Sequence, residues 1–280
     1  MNGLKGMAIG MANIIPGVSG GSIAVITGIY DELVDAFGNF FRTGWKKNAF
    51  FLIPLVFGVL VGNVAFARLI GFLLETFPGA TNWGFIGLIL GSAPYLVKKA
   101  GITKFAWEYA ILFLAGLGIV LWMGLTPRPE ASPPITDITL VTGVLIFLAA
   151  FIASIAMIIP GVSGSFLLLL IGMYSTMRQG FGDLNIPVIL LFVVGTLFGV
   201  VLVSKGIAAL LKMFHRGTYA VVIGLVVGSV VALYPGFSPG LAILGDVLGF
   251  VIGAGLSLTL GTGMKEKILK QHPKNVKSEE

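Results

Sequence analysis

The chain has no cysteine and only two histidines. Disulfides, thiolate catalysis and cysteine-based metal sites are therefore excluded. Charge is scarce as well: Asp, Glu, Lys and Arg make up 11% of the 280 residues. Soluble domains carry roughly 25%, so this chain has too few charges to cover a surface that faces water. No dinucleotide-binding, P-loop or metal-ligand pattern occurs, and neither a metal nor a cofactor is expected. The start, MNGLKGMAIGMANIIPG, lacks a standard signal-peptide cleavage pattern, so no removal is expected. What fills the chain instead is apolar: 56% hydrophobic residues and a mean hydropathy of +1.01. Long apolar runs cover Ala49–Leu74, Trp107–Leu125, Ile138–Ile159, Ile186–Leu211 and Leu241–Leu260. A helix needs about 20 such residues to cross a hydrocarbon core of about 30 Å. The expected class is an all-α polytopic membrane protein.

Glycine is abundant, at 40 residues, and often spaced by four, as in Gly58/Gly62, Gly87/Gly91, Gly195/Gly199 and Gly224/Gly228. Small residues at that spacing let helix backbones approach closely in lipid. Several of these glycines belong to an internal repeat, the feature to seek first in any chain. ANIIPGVSGGSIAVITGIY at Ala12–Tyr30 aligns with AMIIPGVSGSFLLLLIGMY at Ala156–Tyr174 at an offset of 144, with ten of 19 positions identical. The following helices align at an offset of 137, pairing Gly58 with Gly195, Gly62 with Gly199, Arg68 with Lys205, Gly87 with Gly224, and Gly91-Ser92 with Gly228-Ser229. The chain is a duplication, with a first repeat over 1–135, a second over 136–265 and a polar tail over 266–280.

The arms around the first PGVSG are short. Leu4–Ile15 and Gly20–Leu33 have 12 and 14 residues, reaching roughly 18 and 21 Å at 1.5 Å per residue. Pro16-Gly17 breaks the helix between them. These lengths predict re-entrant hairpins at 4–34 and 138–176, followed by crossings at 49–75, 82–98, 106–125, 186–212, 217–234 and 240–262. Under that scheme 14 lysines and arginines fall on one side, only Arg128 and Arg178 on the other, and Arg68 and Lys205 within the membrane. Full crossings at both motifs would split the cations 9 against 7. Because cytoplasmic loops are enriched in Lys and Arg, hairpins are favoured and both termini are predicted cytoplasmic. Three crossings per half make the two repeats inverted. The arm Ile138–Ile159, at 22 residues, is long enough to span alone; its upstream half is expected to tilt or to lie along the interface.

Inverted repeats with broken helices near the midplane are the architecture of secondary transporters. After each break Ser19, Gly20, Gly21 and Ser22, and Ser163, Gly164 and Ser165, open a new helix whose free N–H groups and hydroxyls suit an anion such as phosphate. Helix capping by Ser19 and Ser163 is the plainer alternative. Arg68 and Lys205 add intramembrane cations, unless they snorkel to the headgroups. Asn13 and Asn63 are candidate polar liners of the same pocket. Glu108 and Asp246 occupy roughly equivalent places and are candidates for ion pairing or proton coupling. Asp31, Glu32 and Asp35 are expected to face cytoplasmic water. Gly17-Val18-Ser19-Gly20 also matches the Gly-Xaa-Ser-Gly of intramembrane serine proteases, but a serine nucleophile needs a nearby base. His215 lies in a loop beside Arg216 and His272 in the tail, so a non-enzyme is expected. The Lys-rich tail from Lys265 suits anionic lipid rather than nucleic acid.

With its PGVSGG and PGVSGS pair, and ANIIPGVSGGSIAVITGIYDEL in particular, the chain resembles the bacterial polyprenyl-phosphate transporter family. That resemblance implies a flippase returning undecaprenyl phosphate from the outer to the inner leaflet of the bacterial cytoplasmic membrane, with membrane lipids as its other partners. It implies re-entrant helices from inverted repeats, and a phosphate-binding role for the PGVSG positions. Transport or conduction of a small soluble anion through the same pocket is the competing reading.

Overall fold

The computed structural model describes residues 2–13, 19–40, 45–102, 106–127 and 132–271, with backbone alone at 13, 232 and 260–271. Among the described residues helices predominate and no strand occurs. The first half of the chain contains α1 (Asn2–Asn13), α2 (Gly20–Ile26), α3 (Tyr30–Gly38), α4 (Trp45–Thr76), α5 (Pro78–Ala100) and α6 (Trp107–Leu125). Its second half contains α7 (Leu140–Ile158), α8 (Gly164–Leu170), α9 (Tyr174–Gly182), α10 (Ile186–Met213), α11 (His215–Leu233) and α12 (Ile243–Gln271), the last preceded by a 3-10 turn at Gly240–Ala242. Helices of seven and nine residues follow the motif in both halves.

That pair of short helices replaces the single arm Gly20–Leu33 expected from the sequence. Gly28 and Gly172, identical in the repeat, end α2 and α8 in the left-handed region, at φ 69° and 71°. In each case the glycine N–H bonds back to the third residue before it and the next N–H to the fifth before that one: Gly28 to Val25 and Ile29 to Ala24, Gly172 to Leu169 and Met173 to Leu168. This is the Schellman ending, which glycine adopts without steric cost. By contrast α7 is one unbroken helix of 19 residues.

Five segments are long and apolar enough to cross a membrane: α4, α6, α7, α10 and Gly240–Thr259 at the start of α12. Large apolar side chains such as Phe50, Val64, Trp107, Leu140 and Leu241 point outward uncovered, as a lipid-facing surface requires. The protein is a multi-pass membrane protein. Two of the six expected crossings, those in α5 and α11, are not among these five. Both helices lie inside the bundle, in a row that runs α12, α5, α11, α6, where lipid makes less demand on their composition.

Glycine seams set the register of the long pairs. A Cβ on Gly58 or Gly62 would strike the backbone of Gly3 or Met7 in α1, and one on Gly195 or Gly199 that of Phe147 or Phe151 in α7. A Cβ on Gly87 would strike Phe250 and Ala254 of α12, and one on Gly224 would strike Phe113 and Leu117 of α6. Each second contact is the first displaced by the repeat offset. In all four pairs residue numbers rise together along the seam, so α1 runs parallel to α4, α7 to α10, α5 to α12 and α6 to α11. The last two pairs join one half to the other. The main apolar core, including Ile26, Val34, Ile86, Ile89, Leu96, Ile158 and Val226, lies among α2, α3, α5, α7 and α11.

Candidate functional site

The two motifs meet at the core. Ser19 caps α2, accepting from the Gly21 N–H at 3.2 Å, and its hydroxyl reaches across to the carbonyls of Ala156 at 3.2 Å and Ile159 at 3.4 Å. In return the N–H of Gly161 donates to Ser22 Oγ at 3.0 Å. Backbone groups at the break of the second motif are thus satisfied by serines of the first, as buried polar groups must be. Gly21 has to be glycine here: a Cβ would lie 2.9 Å from the Ile158 carbonyl oxygen. Pro16, Gly17 and Val18, and the side chain of Asn13, lie outside the described residues.

The second motif faces the other way. Ser163 caps α8 through the N–H of Phe166 at 3.5 Å, and its hydroxyl pairs with that of Ser165 at 3.0 Å. Ser163 and Gly164 are half-buried and Ser165 is exposed. Capping therefore occurs at both serines, but only the second motif keeps its hydroxyls accessible.

A cavity of about 810 Å³ opens beside the junction. Ile159 and Pro160 of the second motif line it together with Tyr30, while Glu108, His215 and Arg216 line it elsewhere. Between them the walls are largely apolar, from Leu112 on α6, Ile207 and Leu210 on α10, and Val221 and Leu225 on α11. Around this cavity stands a polar cluster that ties α3 to α5 and α11. Asp31 bridges to Lys99 at 2.9 Å and accepts from the Tyr219 hydroxyl at 2.5 Å, while His215 Nε2 lies 3.1 Å from the Lys99 carbonyl. The rings of His215 and Tyr219 are 4.8 Å apart, and the Lys99 ammonium sits 5.6 Å from the Tyr219 centroid. Asp31 is thus a tie between halves, where the sequence suggested a residue facing water.

Other anticipated residues are dispersed. Arg68 and Lys205 are exposed on α4 and α10, and among the described residues neither lines the cavity nor forms an ion pair. The backbone at Lys205 instead packs against Gly38 at the end of α3. Asp246 is buried and accepts from the Ser238 N–H at 2.8 Å and hydroxyl at 3.0 Å. It braces the turn into α12, away from Glu108. The cavity residues Tyr30, Pro160 and Arg216 were not legible as a group. Tyr30 did stand out as an identity within the repeat. A cation in the first turn of α11, where it opposes the helix dipole, was the overlooked signal for Arg216.

Fold and site together define a multi-pass membrane protein in which the start of the second motif lines an amphipathic cavity and is held there by serines of the first. The chain belongs to the undecaprenyl phosphate translocase-like family, whose model matches residues 9–243. It is 34% identical over 271 residues to the polyprenyl-phosphate transporter of Staphylococcus aureus, covering 93% of this chain and 95% of that one. It is 32% identical over 249 residues to the polyprenyl-phosphate transporter of Vibrio cholerae serotype O1, covering 83% of this chain and 76% of that one. No solved structure matches it.

Proposed function

We propose that the protein is a flippase that carries undecaprenyl phosphate from the outer to the inner leaflet of the bacterial cytoplasmic membrane, recycling the carrier for cell-wall polymers. The names of its relatives support the substrate class. The observation that carries the reading is the meeting of the two motifs, Ser19 on Ala156 and Gly161 on Ser22, at a cavity with apolar walls and charged lining. A lipid phosphate resists flipping because its head must cross hydrocarbon, while its chain can remain in lipid. A cavity that offers donors to the head and hydrocarbon to the chain answers both needs.

In this reading the repeats are inverted and both motifs are re-entrant. The parallel register of α1 with α4 supports it, because the chain between them must return to the side it entered before α4 begins. The same argument holds for α7 and α10. If α4, α5 and α6 then cross in turn, α7 starts on the side opposite to α1. Parallel pairing of α5 with α12 and of α6 with α11 follows from that inversion and agrees with the seams. The distribution of lysine and arginine, 14 against 2, supports cytoplasmic termini. The phosphate site comprises the helix openings at Ser19–Ser22 and Ser163–Ser165, with Arg68 and Lys205 as exposed cations that meet the head on its way in or out. Glu108, at the cavity, is the better placed of the two carboxylates for coupling to protons.

The deciding experiment is reconstitution into vesicles with labelled undecaprenyl phosphate placed in one leaflet. Its protein-dependent appearance in the other leaflet is the expected result; flux of inorganic phosphate without lipid movement would favour the small-anion reading. Ser19→Ala combined with Ser163→Ala, or Arg68→Ala alone, should weaken binding of the lipid in a protein that stays folded. Cysteines introduced at Asn2 and Lys47 should label from one face, the cytoplasmic one; labelling from opposite faces defeats the hairpins.

A further inference from the structure

We infer that Arg216 holds the phosphate head at a second station, separate from the serine openings, where a phosphate monoester lies with its isoprenoid chain along the apolar wall of α6, α10 and α11. The inference rests on the transport reading above and assigns its substrate a seat. The cavity is amphipathic along its length. From Arg216 to Leu225, nine residues of α11 span about 14 Å at 1.5 Å per residue. The cationic lining is at the first turn of α11, and the hydrocarbon lining continues toward Pro160.

Among the described residues no carboxylate pairs with Arg216. Its natural competitors for nearby carboxylates have already been served: Asp31 is held by Lys99 and by the Tyr219 hydroxyl. Glu108 lines the same cavity, but among the described residues it forms no ion pair with Arg216. His215 is committed through Nε2 to the Lys99 carbonyl and through its ring to Tyr219. Arg216 therefore keeps its fork of donors, the group that matches phosphate oxygens in two parallel hydrogen bonds. Its placement is costly in the empty state, since a cation in the first turn of a helix opposes the dipole. A bound phosphate reverses that sign, because helix dipole and guanidinium then act on the same anion.

The full chain, purified in detergent, is titrated separately with undecaprenyl phosphate, undecaprenol and inorganic phosphate. Arg216→Gln is expected to weaken undecaprenyl phosphate about tenfold or more, the scale of a charge-assisted pair, and to leave undecaprenol unchanged. Arg216→Lys should recover part of the loss. Leu210→Trp, which fills the wall, should weaken both lipids. Equal affinity of wild type and Arg216→Gln for undecaprenyl phosphate overturns the inference alone. Inorganic phosphate binding as tightly as the lipid overturns it too, since the chain then contributes nothing. A wild-type protein that ignores undecaprenyl phosphate overturns the transport reading and this inference with it.

Discussion

The two motifs share the letters PGVSG and are put to opposite uses. In the first, six of the seven residues of α2 are buried, and both serine hydroxyls are bonded to the backbone of the other half. In the second, only Phe166 and Leu168 of α8 are buried, and Ser163 and Ser165 bond chiefly to each other. The substitutions within the repeat explain the split. Where the first motif has Gly21 and Ser22, the second has Ser165 and Phe166. Gly21 lets α2 lie against the Ile158 carbonyl, and Ser22 accepts the Gly161 N–H there. Ser165 would not fit at the first place, and Phe166 could accept nothing at the second. The same five letters lead into a plug in one half and an open rim in the other, according to the two residues that follow them.

The contrast is broken most directly by exchanging those residues. Gly21→Ser, which gives the first motif the letter of the second, should cost about 1–3 kcal/mol, as overpacking does. Ser165→Gly at the exposed counterpart should cost well under about 1 kcal/mol. Thermal unfolding in detergent reads both; equal losses would mean that the junction is not tight. Next comes Ser22→Ala, which strands the Gly161 N–H. Leaving a buried donor unmade costs about 1–3 kcal/mol, and the lower part of that range is expected, seen as a lowered midpoint of unfolding. Ser19→Ala should cost about 1 kcal/mol as the loss of a cap, and Ser163→Ala less, because its capping contact is long at 3.5 Å. For affinity the order should invert, with Ser163→Ala causing most of the loss of undecaprenyl phosphate binding seen in the double variant. Smallest is Asp31→Asn. Its bridge to Lys99 is partly exposed, so about 1 kcal/mol or less is expected, and the difference from wild type should shrink as salt is raised.

Much of the architecture was legible because membranes make crude demands. Apolar length marked the segments in α4, α6, α7, α10 and α12 that are long enough to cross a membrane, and the glycine pairs at an offset of 137 marked seams that the structure fills with equivalent neighbours. The break within each second arm was not foreseen, although Gly28 and Gly172 were visible as identities, because repetition does not say which glycine takes the left-handed conformation. The site was legible only in part. Ser19 and Ser163 were singled out, yet nothing in five shared letters tells which serine is spent inside the protein. Arg68 and Lys205 attracted notice by lying in apolar runs, whereas Arg216 looked like an ordinary loop cation. Its importance depends on α6, α10 and α11 leaving a space between them, and a gap among helices has no signature in any one of them.

The exchange of partners along the row α12, α5, α11, α6 bears on how such a chain could have arisen. Each half supplies one helix to each of the two seams in this row, so neither of those two is complete within one half. A half-length ancestor would have had nothing on which to close Gly87 or Phe113 except a second copy of itself. It would have been an obligate dimer, and fusion of the two copies freed each motif to specialise.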